Sequence, residues 1–289
     1  MGNLLKSLLL LLLINTTVYS KQKIKWLVWE LNPEFINHGK ESGNGYADKF
    51  LKYFIKKLPE YDHAIIWLNT KRWFKESSKY GRCTPHIWKR FKLDDQYYSK
   101  PYTLTAPHGI LVHKNSMGKF GKEGETLSLE KILKDDSLTL TVPLVRYKEM
   151  GSRYPILYKY FKPYIGKKNI QEVTTNANEI NPKMLDKHRT DYLIAYPTTA
   201  PSYARINDEK NNYVFYSIKE DPYYKKIYVS CDKSSLGKEV IDNINKIFTK
   251  ELFEIFLFYH EEWNDKNPQF REKFTDYFIK GLKDEFVIQ

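Results

Sequence analysis

A short apolar run opens into a glycine-punctuated loop and then an amphipathic helix between Ile24 and Lys57, and this stretch constrains the chain more than any other. Ile24, Trp26 and Val28, with Leu27 and Trp29 between them, predict a strand covered on both faces. Pro33 follows the run, and proline removes a ladder donor. Gly39, Gly43 and Gly45 punctuate the loop, and Phe50, Leu51, Phe54, Ile55 and Leu58 recur at helical spacing. A strand whose carboxyl end opens into a polar, aromatic loop before a crossover helix is where open α/β sheets take ligands. Glu30 stands at that mouth, either to hold a ligand amine or as a solvated loop carboxylate. Tyr46 either stacks on a ligand or packs the helix start, and Asp48 suits the helix dipole.

The rest of the chain repeats the rhythm. Strands are predicted at 63–68, 109–113, 138–145, 170–174, 192–196, 213–218 and 226–231, and helices at 127–133, 156–164, 180–188, 236–248 and 252–263. Residues 70–80 read as a short helical or loop segment. Residues 81–88 contain Pro85 and so read as an irregular strand, and 97–102 as a turn-rich aromatic loop. Strands alternating with helices predict an α/β architecture with largely parallel sheets.

The N-terminus carries Lys6, an apolar core from Leu8 to Ile14, and Val18 and Ser20 at the small-residue positions of a cleavage site. Residues 1–20 therefore read as a signal peptide, and the expected location is periplasmic or secreted. Residues 21–289 suit one large or two modest domains. The net charge of +12 comes mostly from lysines spread along the chain, which fit a solvated surface or an anionic partner, not a specific nucleic-acid site.

Catalytic signatures are missing. There is no G-x-S-x-G, no HExxH and no phosphate-cradling glycine loop, and the seven histidines lack ligand spacing. No enzyme activity, metal or cofactor is expected. The two cysteines, Cys83 and Cys231, are either a disulfide, which export permits, or two buried thiols.

Five motifs appear in order. They are Trp29 to Phe35, Gly43 to Asp48, Tyr98-Ser99-Lys100-Pro101-Tyr102, Val142 to Tyr147, and His188 to Ile194, followed by Ile227 to Lys233 with Gly237 and Asn245. Together they resemble the type II periplasmic solute-binding proteins, specifically the family-3 group that binds amino acids. The third is similar to that family's Phe-Ser-x-Pro-Tyr. The resemblance implies two lobes that close on a ligand, each a mostly parallel sheet flanked by helices. It places lobe one at 21–108 plus 212–289 and lobe two at 109–211, with the crossovers at its ends. It also brings Cys83 and Cys231 near each other as a disulfide candidate.

The family's Arg that holds a ligand carboxylate falls here on Lys92, with Arg90 two residues away. A lysine lacks the bidentate fork of arginine. The remaining candidates to line the cleft are Tyr102, Thr103, Arg146, Tyr147 and Tyr196; His108 and His113 read as hinge residues. The expected function is capture of a small polar or anionic solute, amino-acid-like or an organic acid, by a monomer that serves a membrane permease or a sensor kinase. The alternative is an envelope interaction protein that has kept the fold and lost the solute.

Overall fold

The structure is a computed structural model, and it describes residues 20–89, 95–143, 154, 156–173, 181–264, 272 and 275–276. The chain begins with β1 (Lys23–Val28), α1 (Tyr46–Lys57), β2 (Asp62–Trp67), α2 (Thr70–Glu76), β3 (Arg82–Trp88), β4 (Gln96–Tyr98) and β5 (Thr103–Thr105). It continues with β6 (Gly109–His113), β7 (Thr126–Leu127), α3 (Leu129–Lys134), β8 (Leu140–Pro143), α4 (Tyr158–Phe161), β9 (Ile170–Val173), α5 (Lys183–Asp186), β10 (Tyr192–Ala195), α6 (Thr199–Asn207) and β11 (Tyr213–Ile218). The last elements are β12 (Lys225–Asp232), α7 (Ser235–Ile247) and α8 (Lys250–Glu261).

These elements build two sheets. One has the order β2-β1-β3-β12-β4, with β5 also on β12; the other has the order β7-β11-β6-β10-β8-β9. The sheets are mixed rather than mostly parallel. β1 runs parallel to β2 and β3, but β12 is antiparallel to β3, β4 and β5, and β6 is antiparallel to β10 and β11. The strands that cross between lobes return against their neighbours, which sequence alternation alone does not reveal.

α1 buries Phe50, Leu51 and Phe54 and leaves Lys52, Lys56 and Lys57 on its outer face. That stripe packs on Trp26, Tyr102, Val229 and Phe256 in the first lobe's core. Each such aromatic contributes on the order of 1.5–3 kcal/mol by burial. The second lobe has its own core around Ile110, Leu140, Phe161, Tyr192 and Tyr216. Among the described residues no helix is long and apolar enough to cross a membrane.

Several expectations change. Residues 213–218 are β11, paired with β6 and β7, so the second sheet extends to Ile218 and the chain crosses back after it rather than at 212. Residues 82–88 form β3, and the strand is irregular at Pro85 as expected. Pro85 and His86 stand opposite the single residue Val229, a bulge where the missing amide costs no ladder bond. Part of the expected 97–102 loop is β4, and α6 forms where no helix is predicted. Cys83 and Cys231 are register partners on β3 and β12 and are joined by a disulfide.

Candidate functional site

The loop after β1 is fixed by its own backbone. Leu31 and Phe35 exchange backbone hydrogen bonds at 3.0 Å, and the Asn32–Pro33 peptide is cis. The carbonyls of Pro33 and Glu34 accept from the first amides of α1, Tyr46 N at 3.1 Å and Ala47 N at 3.0 Å. Those amides are therefore spent inside the protein and are not offered to an anion. Only glycine fits at 45, because a Cβ there would lie 2.2 Å from the Glu34 carbonyl oxygen. Asp48 completes the lock: its Oδ2 accepts from Ile36 N at 3.0 Å and Gly45 N at 3.1 Å. Burial nevertheless raises the Asp48 pKa to about 6, against the pull of those two donors.

Behind the loop lies a buried polar cluster. Glu34 is 6% exposed and is hydrogen-bonded to the Tyr46 hydroxyl; burial first, then Glu34, pushes the Tyr46 pKa well up. The Tyr46 ring lies 4.2 Å from that of His260, and His260 Nε2 meets Thr103 Oγ1 at 2.8 Å. The Tyr102 hydroxyl donates to Pro85 O at 2.7 Å and so accepts from His86 Nδ1 at 2.9 Å. Burial, with a smaller effect from His260, holds the His86 pKa well below the usual range. Its Nε2 is then a lone pair without a hydrogen-bond donor, 3.9 Å from Glu34 Oε2. The bulge in β3 is what turns His86 toward this carboxylate.

At the crossover between lobes, His108 donates through N and Nδ1 to Asp221 Oδ2 at 2.9 and 3.1 Å. Lys225 pairs with the other carboxylate oxygen of Asp221 and lies over the Trp88 ring. Burial favours the neutral acid, but hydrogen bonds from His108 and Lys225 outweigh it and keep the Asp221 pKa below its ordinary value. The Tyr196 ring stacks on His108 at 4.4 Å, and its backbone N donates to Thr199 Oγ1 at 3.1 Å.

A pocket of about 80 Å³ lies where these parts meet. Leu31 and Asn32 line it from the first lobe, His108 from the crossover, and Tyr154, Tyr196 and Tyr203 from the second. A single water needs roughly 10–15 Å³ on the same measure, so the space suits a small solute.

The expected site residues divide. Tyr196 faces the pocket, and Glu30 is half-buried nearby in sequence, with His38 Nε2 4.0 Å from its carboxylate. Tyr102, Thr103 and Tyr46 lie in the first lobe's interior instead of on an open wall. Tyr102, one residue before β5, donates its N to Ile227 O at 3.0 Å, and its ring packs among Phe50, Phe54, Phe248 and Phe256. Arg90, Lys92, Arg146 and Tyr147 lie outside the described residues. Sequence reading did not single out Asn32 or Glu34, although both flank the Pro33 that marks the strand's end. Among the described residues no cluster of three or more His, Cys, Asp or Glu is arranged to hold a metal ion.

No protein-family model matches the sequence, and no curated protein matches it. Solved structures do. The chain is similar to the BvgS periplasmic domain of B. pertussis, at 14% identity and a TM-score of 0.57, over 88% of this chain and 45% of that one. It is similar to ytmK of Bacillus subtilis, described as a probable amino-acid ABC transporter extracellular-binding protein, at 15% identity and a TM-score of 0.59, over 85% of this chain and 100% of that one. The GLUR0 ligand-binding core in complex with L-glutamate matches at 13% identity and a TM-score of 0.56, over 84% of this chain and 97% of that one. The chain has the two-lobed fold of type II periplasmic solute-binding proteins. In that fold the pocket beside Asn32 and Tyr196 lies in the gap between lobes, and the His108–Asp221–Lys225 network sits on the crossover. The chain spans under half of the BvgS domain but the full length of the single binding protein.

Proposed function

We propose that the chain is an exported binding protein that captures one small polar solute between its lobes without chemical conversion, for uptake through a permease or for sensing. The observation that carries this reading is the interlobe pocket, which needs both lobes to close it. Capture at micromolar strength takes only about 8 kcal/mol net, within reach of a few hydrogen bonds and apolar contacts. The neighbour described as a probable amino-acid ABC transporter extracellular-binding protein supports the first of these uses. Residues 1–20 are the proposed signal peptide and a monomer the proposed form; Arg146 and Tyr147 remain proposed cleft residues. The test is mass spectrometry of small molecules released from natively purified protein, backed by a thermal-shift screen. A released molecule that raises the melting temperature when added back is the expected result; silence in both assays overturns the reading.

A second reading is an envelope interaction protein whose lobes stay shut without solute. One observation favours it. On α6, Arg205 donates Nε to Glu41 Oε1 at 2.9 Å and Nη1 to Glu262 O at 2.8 Å, so the chain's own groups bind lobe to lobe.

A further inference from the structure

We propose that the second lobe carries a docking face for an anionic lipid surface, made by Lys159, Lys162 and Lys167 with the rings and aliphatic side chains set between them. Its use rests on the export proposed above, and it is independent of solute capture. The sequence concentrates charge here. No Asp or Glu occurs from Met150 to Gln171, a stretch that holds Arg153, Lys159, Lys162, Lys167 and Lys168. Leu157 and Phe161, one helical turn apart, are fully buried in the second lobe's core, so Lys159 and the edges of Tyr158 and Tyr160 are left facing outward. Asn169 Nδ2 donates to the Leu133 carbonyl at 3.0 Å and fixes the far end of the segment on α3.

Each lysine lies over a neighbouring ring. Lys159 Nζ is 4.9 Å from the Tyr160 centroid, Lys162 Nζ 5.8 Å from that of Tyr158, and Lys167 Nζ 4.5 Å from that of Tyr164. Asp136 takes Lys168 at 2.8 Å, but among the described residues none of the other three has a carboxylate partner. Their charge is therefore left open to solvent and is held at the level of the rings by cation–π contact. Apolar surface lies beside it: Ile156 is 38% exposed, and Tyr160, Tyr164 and Ile165 are half-buried. An anionic leaflet answers both features, with phosphates for the ammonium groups and an interfacial layer for tyrosine and isoleucine. A nucleic acid would need open ring faces to stack on, and here lysines already lie over them.

The experiment is cosedimentation of natively purified protein with vesicles of phosphatidylglycerol mixed with phosphatidylcholine, against vesicles of phosphatidylcholine alone. Binding is expected to the anionic vesicles, and it should fall steeply as salt is raised to physiological strength. Each lysine near such a surface is worth about fivefold in partitioning, so Lys159→Gln/Lys162→Gln/Lys167→Gln should cut it about a hundredfold. Lys52→Gln/Lys56→Gln/Lys57→Gln removes the same charge from the outer face of α1, on the first lobe, and should leave partitioning nearly unchanged. Both triple variants replace exposed side chains, and an unchanged circular dichroism spectrum checks that each is folded. No binding to the anionic vesicles, equal binding to both kinds of vesicle, or an equal loss in the two triple variants overturns the proposal. Retention on heparin or duplex DNA without vesicle binding overturns it in favour of a soluble polyanion. Each of these outcomes leaves solute capture standing.

Discussion

The guanidinium of Arg205, on the second lobe, lies 4.0 Å from the ring centroid of Trp263 on the first. Its fork also reaches Glu41 and the Glu262 carbonyl, and its neighbour Ile206 packs against the first lobe's core. Trp263 is held in turn by a bond from its Nε1 to Asn44 O at 3.2 Å. One side chain thus ties the end of α6 to both the loop before α1 and the end of α8. The half-exposed setting limits each contact, and together they favour closure by about 1–2 kcal/mol.

Arg205→Ala is therefore expected to open the lobes. Small-angle scattering should show a larger radius of gyration than for the parent, with the circular dichroism spectrum unchanged. Arg205→Lys keeps the charge but loses the fork, and should fall between the two. Identical scattering curves for all three would show that closure rests elsewhere.

The disulfide makes a larger claim on stability. Cys83 and Cys231 are 148 residues apart, and both side chains are buried. Closing a loop of that length stabilises by about 5 kcal/mol in the chain-entropy model, an upper figure. The Cys83→Ala/Cys231→Ala double variant should show a lower denaturant midpoint than the oxidised parent. A reductant should reproduce that drop in the parent and leave the variant unmoved.

Much of this framework was legible in the sequence, for a physical reason. β1, β2, β6 and β10 are short apolar runs, and α1 repeats Phe and Leu at three and four, so local pattern and final structure agree. What the sequence withheld was partner choice. Tyr213–Ile218 reads as a strand either way, and only its pairing with β6 puts it in the second lobe. α6 has Pro201 in its first turn and small or polar residues around it, so no apolar stripe announces it. Tyr102 follows a Pro turn and reads as a cleft residue, yet its N bonds to Ile227 O at 3.0 Å and its ring is buried in the first lobe's core, a placement set by tertiary packing. Asn32 carries no signal in the sequence, because a buried Oδ1 without a hydrogen-bond donor is set by tertiary packing, which no spacing encodes.

Acidification should loosen the first lobe. Burial lowers the pKa of His260 to about 3 and pushes that of His86 the same way. Both are neutral in the fold and take up protons in the unfolded chain below about pH 6.5, so stability rises with pH across this window and is lost as pH falls toward 3. His260 contributes up to about 2 kcal/mol of that loss between pH 6.5 and 5, and His86 adds to it in the same direction. Asp48 works in the opposite sense. Its pKa, raised to about 6, makes the fold favour its protonated form, so its contribution is full below about pH 4 and fades as pH climbs through 6. The melting temperature should still drop from pH 7 to pH 5, because two histidines outweigh one carboxyl. His260→Gln should flatten that slope by about half, and a slope unchanged by the substitution would place the proton uptake on other groups.

Asp48 offers the test that ties the fold to the site. Its single Oδ2 accepts from both Ile36 N and Gly45 N, and the segment between carries the turn that holds Pro33 and Glu34 against α1. Asp48→Ala leaves two buried amides without a partner, a loss of about 2–4 kcal/mol. Asp48→Asn keeps an acceptor oxygen and removes the buried charge, so it should recover most of that loss at neutral pH, where the carboxylate itself is least favoured. The two variants should also separate in binding. The alanine lets the loop relax and draws Asn32 away from the pocket, lowering affinity for any captured solute, while the asparagine holds the loop in place. Equal affinity in both, measured by calorimetry on the molecule released from purified protein, would mean that the loop after β1 does not shape the pocket.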